Sequence, residues 1–180
     1  MSNFFRALFF STILLIGFTG CATTADVAEE RPGQEESEGI YPEWFTPSGF
    51  SSDSVAFNGY ATAVSSDSSI AMANAELQAR INLESQIAER LESVRKQLEE
   101  NGSPISTNTD FIITLRNAHN AVEDAAAPVE QTAQSEEGYY RGFAQVSITR
   151  SQLAALIRSG FSGKENYWEA IRGSNIFSEQ

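Results

Sequence analysis

Small and apolar residues recur along this chain in two rhythms. From Val55 to Val64 the period is two: Val55, Phe57, Gly59, Ala61 and Ala63 share one face of a predicted strand, and the small ones leave room for a helix to approach. Ser51 to Ser54 reads as a loop before it. After Ser65, Ser66, Asp67, Ser68 and Ser69, which offer helix N-caps, the period becomes 3.6 and predicts a helix from about Asp67 to Glu100. Its apolar stripe is Ile70, Ala73, Leu77, Ile81, Ala88, Leu91, Val94 and Leu98, with Ala71, Ala75 and Ala79 as a smooth flank. Glu76 with Arg80 and Glu92 with Lys96 stand at i,i+4 on the wet side. Some 30 residues make a rod of about 45–50 Å, longer than so small a sheet covers. The stripe reads as ordinary core or, beyond about Ala88, as an overhang seeking a partner. Leu91, Val94 and Leu98 are therefore a candidate interaction surface.

Asn101, Gly102 and Pro104 stop that helix, and Thr107 to Asp110 cap a second one carrying Phe111, Ile112, Leu115 and Ala118. From about Ala125 the chain is extended again. Glu136 to Gly138 read as a turn, and Tyr140, Gly142, Ala144, Val146 and Ile148 then alternate with Arg141, Gln145 and Ser147. This predicts an antiparallel hairpin, with Pro128 placing its first arm at an edge or starting it. Ser151 to Arg158 is a helix ended near Gly160, and Tyr167 to Ile171 add a short one. No 20–50-residue repeat is present, which excludes solenoids and propellers.

The first forty residues follow a different logic. One charge, Arg6, precedes the apolar run Ala7 to Ile16, and small residues lead to Cys21: the order of an export signal, too short to span a bilayer. Thr19-Gly20-Cys21 resembles a bacterial lipobox, with Phe18 where Leu is usual. That resemblance implies acyl chains on Cys21 and, because Ala22 rather than Asp follows, sorting to the outer membrane. Two or three acyl chains hold a protein to a membrane without any spanning segment. From Ala22 to about Gly39 six acids stand against Arg31, the composition of a solvated tether. The expected organisation is a signal peptide over 1–20, a tether over 21–40 and a single domain over 41–180. Trp44 and Phe45 open that domain, as a plug at the core's edge or as stacking platforms for carbohydrate.

The 180 residues carry 12 Lys plus Arg against 24 Asp plus Glu, a net charge of -12 that argues against nucleic acid and against docking on anionic lipid. An aromatic share of 11% is enough for a real core. One Cys and one His exclude internal disulfides and Cys- or His-rich metal sites.

Taken in order, the lipobox, the acidic tether, Pro42-Glu43-Trp44-Phe45, the strand ending Asn58 to Ala63, the helix with Ala71, Ala75, Ala79, Arg80 and Leu83, and Tyr139-Tyr140 opening a strand resemble the LPP-twenty lipoprotein family over about residues 41 to 150. The resemblance implies an α+β fold, a long helix packed on a small antiparallel sheet with shorter helices besides. It further implies a non-enzymatic, lipid-anchored protein on the periplasmic face of the outer membrane, in some members part of a ring or disk around the flagellar motor. It brings no catalytic residues.

Enzyme chemistry finds little to build on. A Ser-His-Asp triad would need His119, with Asp110 or Asp124 as orienter, yet no nucleophile elbow is present. Glu99-Glu100 and Glu136-Glu137 fall at a helix end and in a turn, where solvated charge is the ordinary state. Gly160 to Lys164 only echo a phosphate loop. No cofactor or metal is expected. Three function classes follow: a structural or assembly lipoprotein that self-associates, alone or with flagellar or other envelope proteins; a non-enzymatic module presenting Trp44, Tyr139 and Tyr140 to glycan or peptide; and a small envelope hydrolase, which a deep pocket holding a polar constellation would favour.

Overall fold

A computed structural model of the chain describes residues 41–177. In chain order the elements are β1 (Phe50–Ser52), β2 (Ala56–Ser65), α1 (Ser68–Glu100), α2 (Thr109–Asn120), α3 (Val122–Ala125), β3 (Ala127–Glu136), β4 (Tyr139–Thr149), α4 (Arg150–Gly160) and α5 (Glu165–Ile171). The strands form one antiparallel sheet in the order β1-β2-β4-β3, and α1 lies across it, so the fold is α+β as expected. Signal peptide, lipidation site and tether fall outside the described residues.

Local chemistry sets the element ends where the sequence placed them. Asp67 accepts the Ile70 amide at 3.0 Å to start α1, and Asn108 accepts that of Phe111 at 3.0 Å to start α2. Thr149 and Gln152 form a reciprocal capping box at the head of α4. Gly138, at φ 83°, turns β3 into β4, and β3 is an edge strand with an irregularity between Pro128 and Glu130. One loop is shorter than expected. Phe50–Ser52 pair with Phe57 to Gly59, because the Asp53 carboxylate accepts the Val55 and Ala56 amides at 2.7 and 2.8 Å and folds a tight turn. The four-residue α3, whose Val122 is buried, has no counterpart in the pattern.

The long helix turns a different face to the sheet from the one its periodicity favours. Buried are Ala71, Ala75, Ala79, Leu83, Ile87, Leu91 and Val94, whereas Ile70, Leu77 and Ile81 remain 54%, 52% and 41% exposed. The reason is distance. A Cβ on Gly59 would stand 2.8 Å from the Leu83 Cβ and nearer still to the Ala79 carbonyl, and one on Gly142 would strike the Ala71 carbonyl. Helix backbone thus rests almost on strand backbone at these two glycines, and the row that faces them is Ala71, Ala75 and Ala79, continued by Leu83. The alanine row wins over the bulkier stripe, and a row at i+4 spacing is inclined to the helix axis, which suits a twisted sheet.

The far half of α1 is covered from within the chain. Arg95 donates to the Ser106 carbonyl at 3.0 Å, holding the return loop, and α2 then packs alongside with Phe111 and Leu115 in the same core. Leu91 and Val94 are therefore interior and Leu98 is half-buried, so the expected overhang is closed. Arg95 also pairs with Glu92 at 2.8 Å and Glu99 at 3.0 Å, taking the place of the expected contact between Glu92 and Lys96.

Arg80 is more than a surface partner. It pairs with Glu76 at 2.6 Å, donates to the Glu123 carbonyl at 2.9 Å and to that of Ala126, and so ties α1 to α3 and the start of β3. The Arg80 hydrogen bond holds the Glu76 carboxyl below its ordinary value of 4.5, and the Gln131 amide adds to this. A depressed carboxyl stabilises the fold above that ordinary value and loses its contribution as pH falls through the folded one. Glu76→Gln is thus expected to melt lower than the parent at pH 7, by the equivalent of about 1–2 kcal/mol. In a pH series the two curves should draw together as pH falls below the ordinary value of 4.5 and through the folded one; a gap that stays constant until the carboxyl is fully protonated would disprove the linkage.

Candidate functional site

The residues singled out from the sequence scatter over three environments. Cys21 lies outside the described residues. Phe45 belongs to an aromatic plate on the sheet face away from α1, where it meets Phe143 at 5.3 Å and Tyr60 at 6.0 Å and stacks on Tyr41 at 5.2 Å. Trp44 is half-buried beside it, 6.0 Å from the Phe45 ring. The plate gives buried Phe143 and Tyr60 a cover on the second face of the sheet, which is the plug expected of this segment. Leu91 and Val94 are core, not surface, because α2 covers them, and Leu98 is left half-buried. Tyr139 sits 37% exposed at the β3–β4 turn, beside the 2.6 Å ion pair of Glu136 with Arg141. Its hydrogen bond to Glu136 raises the phenol above its ordinary range. Tyr140 is exposed on the same turn, whereas Trp44 has its ring contact with Phe45, so the three aromatics do not form one platform.

The groups considered for catalysis hold structural partners instead. His119 faces α1, with Nε2 3.0 Å from Glu84 Oε1. Asp110 accepts from Lys164 Nζ and from the Tyr167 hydroxyl, both at 2.7 Å, and joins α2 to α5. The Lys164 hydrogen bond, followed by that of Tyr167, lowers the Asp110 carboxyl. The same lysine also donates to Thr114 at 2.8 Å, which accounts for it without a phosphate. Glu99 and Glu136 each hold an arginine. Among the described residues no three His, Cys, Asp or Glu side chains gather as a metal site, and no helix is long and apolar enough to cross a membrane.

Two features carry more than the sequence led one to expect. The first is the outer face of α1, where Ile70, Leu77 and Ile81 stand exposed with Ala73 between them. The second is a cavity of about 480 Å³ at the end of the sheet where β1 turns into β2. Arg90 of α1 and Arg150 at the head of α4 line it, with Asp53, Ser93, Gln97 and Asn175. Arg150 lies over the Phe57 ring and Arg90 over that of Phe50, each at 4.4 Å. Burial lowers the Arg90 guanidinium from its ordinary value; Glu89 opposes that shift and the Arg150 charge adds to it. Both Asp53 contacts to Val55 and Ala56 run through Oδ1, and no histidine is among the residues that line the cavity. No local signal marks Arg90 and Arg150, which are 60 positions apart in the chain.

No family model, no curated protein and no solved structure matches this chain.

Proposed function

We propose that this chain is a periplasmic lipoprotein, anchored to the outer membrane by acyl chains on Cys21, that builds an assembly from copies of itself. The assembly is a ring or disk at the flagellar basal body and serves motility. Anchoring rests on Thr19-Gly20-Cys21 behind the apolar run and ahead of an acidic segment. The observation that carries the assembly role is the exposed row Ile70, Leu77 and Ile81 on a helix whose other face is already packed. Each of these side chains is about half exposed, so burying the remainder against a neighbouring copy contributes about 0.7–1.5 kcal/mol.

Cys21→Ala is expected to leave the protein in the soluble periplasmic fraction after detergent-free lysis. Recovery of the variant with outer membranes, in the parent's proportion, would overturn the anchor. Leu77→Asp with Ile81→Asp is expected to reduce the mass measured by light scattering to that of one chain, while the far-ultraviolet circular dichroism of the folded chain is unchanged. An unchanged mass would remove this face as the contact. A deletion strain is expected to assemble filaments yet not swim, and to recover with the gene in trans; normal swimming would remove the flagellar setting.

A further inference from the structure

We propose that the cavity between Arg90 and Arg150 binds a small hydroxylated anion, a sugar acid or a sugar phosphate. This stands apart from the membrane anchor and from self-assembly. In a chain of net charge -12, the lining brings two guanidiniums together with one carboxylate. Arg80, Arg95, Arg141 and Arg172 each hold a carboxylate at 3.0 Å or closer. Arg90 and Arg150 hold none among the described residues.

Both are nonetheless fixed in place. Arg150, about nine-tenths buried, donates from Nε to the Asp53 carbonyl at 2.9 Å and from Nη1 to the carbonyls of Asn175 and Ile176 at 3.0 Å. Its Nη2 has no hydrogen-bond partner among the described residues. Arg90 donates from Nη1 to the Gln86 carbonyl at 3.3 Å and to Gln86 Oε1 at 3.2 Å, leaving its Nε and Nη2 edge without a partner there. That edge is the fork that takes two oxygens of a carboxylate or phosphate side-on. Stacking on Phe50 and Phe57 means that little side-chain freedom remains to be lost on binding.

The rest of the lining points to the body of the ligand. Ser93, Gln97 and Asn175 offer hydroxyl and amide groups, suited to a partner that carries hydroxyls of its own. A volume of about 480 Å³ is that of a small-molecule site and far exceeds what a bare ion fills.

The test is calorimetric titration of the detergent-solubilised full chain with glucuronate and with glucose 6-phosphate, against glucose and inorganic phosphate. At least one anionic sugar is expected to bind saturably and to raise the melting temperature, with both controls weaker by about tenfold or more. A preference for glucuronate assigns the site to carboxylates, and one for glucose 6-phosphate assigns it to phosphates; either supports the proposal. Arg90→Gln is expected to weaken binding by about tenfold or more. Gln97→Glu, at an exposed position on the rim, is expected to abolish binding with the unliganded melting unchanged. The proposal falls if neither sugar binds at about 10 mM, if inorganic phosphate binds as tightly as the sugars, or if both variants bind like the parent.

Discussion

Leu91→Asp is expected to lower the melting temperature of the full chain by more than about 15 °C, or to leave it unfolded. Leu91 is 1% exposed in the core that α1 shares with α2. Removing its side chain forfeits about 2–3 kcal/mol of burial, and a carboxylate placed there without a partner costs several kcal/mol more. Arg95, one turn further along α1, is already held by Glu92, Glu99 and the Ser106 carbonyl. Against a total stability of about 5–15 kcal/mol this loss is decisive. Circular dichroism melting checks it, and the exposed Leu77→Asp serves as the comparison on the same helix. Melting within about 2 °C of the parent would return Leu91 to the surface and remove the packing of α2 on α1.

Gly142→Val is expected to cost about 3 kcal/mol or more, a drop of roughly 10 °C, although it adds a residue that strands favour. The new Cβ meets the carbonyl of Ala71 and comes within 2.6 Å of the Met72 amide nitrogen, and both are helix backbone. Backbone cannot rotate away as the tip of a side chain can, so α1 must lift from β4 along the whole seam. Gly138→Ala makes the contrast: that glycine has open space around its Cβ position and only its φ of 83° to satisfy. If Gly142→Val melted no lower than Gly138→Ala, the close seam between helix and sheet would be wrong.

The expected element pattern survives because it is local. Asp67, Asn108 and Thr149 cap their helices with their own side-chain oxygens, and Gly138 supplies the positive φ of the turn between β3 and β4. The small residues at Gly59 and Ala61 announce a close helix before any helix is seen. The face of α1 is another matter. Its stripe of Ile70, Leu77 and Ile81 is as regular as the alanine row, and periodicity alone ranks the larger side chains as core.

The sequence by itself determined where β2, β4 and the longer helices begin and end, though not β1 or α3, that one of the helices is long, and that the strand before it is thinned to let a helix close. Those properties reside in neighbouring residues and their hydrogen bonds. Only the tertiary structure decided which row of α1 enters the seam, because at Gly59 and Gly142 the helix backbone comes too close to the sheet for any side chain on the strand, and the alanine row permits that approach. The same holds for the filling of the far end of α1 by α2 and for the meeting of Arg90 with Arg150, since both depend on contacts between residues far apart in the chain.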